Sequence, residues 1–100
     1  MMDGKMFKTA SGFNSYEIYD AENDHIFIFA DVLTKKFGFQ MNTAPMVGLD
    51  GVYWDASKLG VKLTAGWDVW SGAFIFAHCP KGDEYVKEIA EYLIASNALL

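Results

Sequence analysis

Two turn signals, Ser57-Lys58-Leu59-Gly60 and Trp70-Ser71-Gly72, divide residues 52–77 into three runs of strand length. Strands joined by loops this short pair with their chain neighbours, so an antiparallel meander is implied. With Lys58-Leu59 as the first loop, Asp55 falls opposite Lys62, Trp54 opposite Leu63 and Ala56 opposite Val61. With Ser71-Gly72 as the second, Val69 meets Phe74 and Trp67 meets Phe76. One face then carries Val52, Trp54, Ala56, Val61, Leu63, Ala65, Trp67, Val69, Phe74 and Phe76, an apolar surface that has to be covered by helices. The other face is mixed: Tyr53, Asp55, Lys62, Thr64, Gly66, Asp68, Trp70, Ala73, Ile75 and Ala77.

Helices to cover that face are available on both sides of the meander. Residues 82–96 place Val86, Ile89, Ala90, Leu93 and Ile94 on one stripe, with Lys81, Asp83, Glu84, Lys87, Glu88 and Glu91 on the wet side. Residues 20–38 space Ile26, Phe29, Ala30, Leu33 and Phe37 helically, with Asp20 as N-cap, an Asp31–Lys35 i,i+4 pair and Gly38 as the stop. The rival for this segment is a hairpin, because residues 16–19 and 26–29 are rich in strand formers. Residues 5–9, 13–19 and 39–43 supply further strands, and Pro45 suits an exit from the last of them. The expected fold is α+β: a mostly antiparallel sheet, made of the C-terminal three-stranded meander plus N-terminal strands, with two helices packed on one face. Neither repeats nor a linker interrupt the 100 residues, which read as a single compact domain.

Charge narrows the function. The chain has 8 lysines, no arginine, 13 acids and a net charge of -5. Without arginine's planar fork of donors, and with scattered lysines, nucleic acid is not an expected partner. Between Lys8 and Lys35 there is no lysine, while Glu17, Asp20, Glu22, Asp24 and Asp31 all fall in that interval. Those five charges equal the net charge. Acids at a helix start offset its dipole; gathered in one patch, they steer a basic partner toward it. No apolar run approaches the ~18 residues of a membrane-spanning helix. One cysteine makes no internal disulfide, and residues 1–10 lack the pattern of a secretion signal, so a cytoplasmic setting is expected.

Catalytic signals are weak. His78 and Cys79 are adjacent, hence on opposite faces of a strand, where they do not form a thiolate–imidazole pair. In the register above His78 belongs to the margin of the apolar face, bonded to backbone, and Cys79 is a small buried hydrophobe. Asp20, Glu22, Asp24 and Asp31 have a trace of calcium-loop spacing, but His25 stands where the sharp turn demands glycine. Asp55 and Asp68 share a face, yet Asp55 has Lys62 as its cross-strand partner. Gly48-Leu49-Asp50-Gly51 reads as a turn into the meander. No catalytic residue, cofactor or metal ligand is assigned.

The expected function is that of a small acidic, non-enzymatic protein-binding module whose partner is another protein with a basic surface, or a second copy in a homodimer. Small acidic inhibitors, among them the immunity proteins that neutralise bacterial toxins, have a similar broad composition; the likeness is one of class, without a shared motif. The candidate contact residues are Glu17, Asp20, Glu22, Asp24, Tyr53, Asp68, Trp70 and Ile75, exposed aromatic and apolar groups beside acids. The alternative is a small ligand-binding or hydrolytic domain with a pocket between helices and sheet, using His25 or His78 with a nearby acid.

Overall fold

The computed structural model describes residues 4–22, 25–42, 46–48 and 50–96. Seven antiparallel strands form an open sheet: β1 (Lys5–Lys8), β2 (Asn14–Ile18), β3 (Gln40–Met41), β4 (Met46–Val47), β5 (Gly51–Lys58), β6 (Val61–Asp68) and β7 (Gly72–Ala77). Their order is β1-β2-β7-β6-β5-β3, with β4 also paired to β5. Two helices, α1 (Ile26–Asp31, continued by a π-helical turn over Val32–Lys36) and α2 (Pro80–Ser96), pack against the sheet. The α+β arrangement expected from the patterning is the one observed. No helix among the described residues is long and apolar enough to cross a membrane.

Both helices cover the same face. Trp54, Ala56, Leu63, Ala65, Ala73, Ile75, Ala77, Tyr16 and Ile18 bury against Phe29, Val32 and Leu33 of the first helix and Val86, Ile89, Ala90 and Leu93 of the second. Edge-to-face contacts of Phe37 with Tyr92 and of Phe39 with Tyr85 tie the two helical segments together. Asp83 in the first turn of α2 accepts the backbone N–H of Asn14 at 2.7 Å, fastening the helix to the start of β2. The Trp67 indole donates to the Ala21 carbonyl at 2.7 Å and so anchors the segment leading into α1.

The first helix starts later than its sequence pattern suggests. Its N-cap is His25, not Asp20, and its first turn holds no acid, so Asp20 and Glu22 lie ahead of that turn and not in it. Nor is the segment a hairpin: Asn14–Ile18 is strand and Ile26–Asp31 helix. The expected Asp31–Lys35 pair is present at 3.5 Å. Within the π turn, the Thr34 hydroxyl donates to the Ala30 carbonyl at 2.8 Å, and the Phe37 N–H donates five residues back to the Val32 carbonyl.

Register is where sequence and structure part. The first hairpin turns on Leu59-Gly60, pairing Lys58 with Val61, Ala56 with Leu63 and Asp55 with Thr64. That is a shift of two residues in the pair sums, which leaves every side chain on its expected face. The second hairpin turns on Val69-Trp70-Ser71, pairing Asp68 with Gly72, Trp67 with Ala73 and Ala65 with Ile75. That shift is three, an odd number, so all of β7 is inverted. Ile75, expected on the open face, is 1% exposed in the core, and Phe74, Phe76 and His78 are on the open side instead.

Candidate functional site

The inversion of β7 changes what the uncovered face presents. Two rows of side chains run across it, each crossing five strands. One reads Lys5, Glu17, Phe74, Gly66 and Tyr53, with Met46 beyond; the next reads Phe7, Ser15, Phe76, Thr64 and Asp55. Along β7 the Phe74 and Phe76 rings stack at 6.0 Å, and Phe76 continues to the His78 ring at 5.2 Å. An aromatic ladder therefore lies on an open sheet, between Glu17 on one side and Asp55 on the other. Among the described residues, neither helix packs on this face.

At the β1–β2 end the face deepens into a groove of about 450 Å³, lined by Lys5, Phe7, Glu17, Tyr19, Asp20, Trp70 and Ser71. Of the residues expected at the contact surface, Glu17, Asp20 and Trp70 meet here. Tyr19 and Trp70 are 74% and 69% exposed, large apolar areas for side chains that nothing forces outward. The loop carrying Trp70 is held by Asp68, whose Oδ1 accepts the backbone N–H groups of Trp70 at 3.0 Å and Ser71 at 2.6 Å. Asp68 is thus a support for Trp70 and does not line the groove. Glu17 is steadied by the Ser15 hydroxyl, which donates to Oε2 at 3.1 Å.

Other sequence candidates fall elsewhere. Tyr53 shares the face but sits three strands from β2, roughly 14 Å away at normal strand spacing. Glu22 is exposed in the turn before α1, where its backbone N–H donates to His25 Nδ1 at 2.9 Å. Asp24 lies outside the described residues. Ile75 is a core residue and is removed from the candidate surface. Lys5, Phe7, Tyr19 and Ser71 were missed, although the alternation of Lys5 and Phe7 against Met6 and Lys8 in a four-residue strand was available as a signal.

A second polar cluster crosses the sheet where Asp55, Thr64 and His78 line up. The Thr64 hydroxyl lies 2.6 Å from Asp55 Oδ1 and 2.8 Å from His78 Nε2. A carboxylate only accepts, so the single hydroxyl proton goes to Asp55 and Nε2–H donates to Thr64. This is the reverse of a nucleophile–base pair, in which the imidazole must receive the hydroxyl proton. The expected Asp55–Lys62 pair is replaced by Asp55–Thr64, Lys62 standing opposite Ser57. His78 is exposed and bonded to a side chain, not backbone, and Cys79 is half-buried, accepting the Gly82 N–H at 3.4 Å. Among the described residues no group of three His, Cys, Asp or Glu side chains converges on a metal position.

His78 titrates below its ordinary 6.5, first because of partial desolvation, then because of Lys62; Asp55 pulls the other way. The folded chain therefore favours the neutral ring. Its contribution to stability is fully present above pH 6.5 and declines as pH falls through the lowered value. Urea midpoints of wild type and His78→Gln, compared from pH 7 down to about pH 5, are expected to converge as the ring is forced to charge. An unchanged difference would show that the ring gains nothing from neutrality.

Compared with protein-family models, with curated proteins and with solved structures, the chain finds no match. Its functional reading rests on these residues alone.

Proposed function

We propose that this chain is a non-enzymatic protein-binding module that masks a basic surface of another protein with its open sheet face. The observation that carries the reading is the Phe74–Phe76 ladder on a face that, among the described residues, neither helix covers, bordered by Glu17 and Asp55 and ending in the groove of Tyr19 and Trp70. Aromatic groups flanked by carboxylates supply the apolar anchor and the electrostatic steering that such contacts use. A net charge of -5 points the same way.

The test is native mass spectrometry of tagged protein captured from its own host at low and at near-physiological salt, where screening acts over about 8 Å. A stoichiometric heterocomplex is expected, strengthened at low salt. Phe76→Lys on the face should abolish it, while Glu88→Lys on the exposed side of α2 should leave it intact. A complex that survives Phe76→Lys but not Glu88→Lys, or a homodimer in its place, would overturn the proposal.

A further inference from the structure

We infer that the groove between β2 and the β6–β7 loop is a receptor for one arginine side chain of the partner, an assignment that rests on the protein-binding reading above. The groove joins two exposed aromatic rings, Tyr19 and Trp70, to two carboxylates, Glu17 and Asp20. A guanidinium combines the two properties this lining selects for: it is weakly hydrated and stacks on aromatic faces, and its planar donors fork a carboxylate. An ammonium is more strongly hydrated and offers no fork, so lysine is the poorer fit. The apolar stem of arginine finds cover against Phe7.

The charge balance of the groove supports a cation. Lys5 is the cross-strand neighbour of Glu17, which leaves Asp20 as a second carboxylate for the ligand. The occupant is also foreign to the chain. These 100 residues contain no arginine, so neither they nor a second copy of them can supply the group. The loop is braced for the purpose by Asp68, which fixes the backbone of Trp70 and Ser71 without touching the groove. A loop whose backbone is already fixed loses less freedom on binding than a mobile one.

The experiment is an NMR titration of the intact chain with N-acetyl-arginine amide, beside the lysine and the uncharged citrulline analogues. Expected is a saturable shift centred on the Trp70 indole N–H and the amides of Tyr19, Asp20 and Ser71, with citrulline at least about fivefold weaker and lysine between the two. Asp20→Asn and Trp70→Ala should each weaken arginine severalfold, and Lys5→Ala should strengthen it by removing the one like charge in the lining. Equal binding of citrulline, tighter binding of lysine, weakening by Lys5→Ala, or no saturable shift up to tens of millimolar would overturn the inference. The same variants separate it from the broader reading. A partner complex that ignores Asp20→Asn and Trp70→Ala but is lost in Phe76→Lys overturns the arginine site and leaves the face as the binding surface.

Discussion

Ile75→Ala is expected to lower the free energy of unfolding by about 2–5 kcal/mol, whereas Phe74→Ala, one position away and a larger deletion, should cost only about 1 kcal/mol. Ile75 is 1% exposed and sits between Tyr16 on β2 and Ala65 on β6, on the face the helices cover. Removing its three outer carbons leaves a hole that the surrounding sheet and helices cannot collapse into. Phe74 is half-buried on the open side, opposite Gly66 and Glu17, with its ring stacked on Phe76. Truncating it removes part of a surface ladder and leaves no cavity. Urea unfolding with an unchanged m-value would give both differences from the midpoints. The opposite ranking would place Phe74 in the core and would mean that β7 pairs in the register with Val69 opposite Phe74. The same two variants bear on function: Phe74→Ala, nearly neutral for folding, should weaken the partner complex that Ile75→Ala disturbs only through instability.

The comparison shows what a pattern of residues can and cannot specify. The identity of the strands and the side on which the helices lie follow from hydrophobic periodicity, because Trp54, Ala56, Leu63 and Ala65 alternate strictly and α2 carries one clean stripe. Residues 72–77, Gly-Ala-Phe-Ile-Phe-Ala, carry no polar side chain, so alternation there is silent about which set faces inward. Phe74 and Phe76 are larger than Ala73 and Ala77, yet it is the small residues that are buried, opposite Trp67 and Leu63 on β6. As for the groove, Glu17, Asp20 and Trp70 were legible as exposed aromatic and acidic groups, but their meeting was not. It depends on β2 pairing with β7, two strands separated by most of the chain, and no local signal announces that contact. The Asp55–Thr64–His78 line was hidden by both register differences, the shift that puts Thr64 opposite Asp55 and the inversion that brings His78 to the open side.

The turn that sets this register should be sensitive to a single added methyl group. Gly72→Ala is expected to cost about 2–5 kcal/mol, against about 1 kcal/mol for Gly60→Ala, and the contrast isolates the reason. Both glycines hold a left-handed backbone, with φ of +71° at Gly72 and +81° at Gly60. Both therefore incur the penalty of a side chain in that region. Gly60 is surrounded by open space, so an added methyl meets nothing more. A methyl at Gly72 would collide with the carbonyl oxygens of Ile18 and Tyr19, backbone atoms that move only if β2 separates from β7. That close approach is what lets the loop fold as Val69-Trp70-Ser71 with Asp68 opposite Gly72, and it brings Trp70 beside Tyr19 and Asp20. Thermal or urea unfolding of the two variants measures the difference directly, and the Trp70 indole resonance reports the groove. Gly72→Ala should shift that resonance and weaken the arginine titration even at temperatures where the chain remains folded, while Gly60→Ala should leave both as in wild type. If the two substitutions cost the same, the approach of β2 to this turn is looser than the geometry gives, and the groove loses the wall that positions its tryptophan.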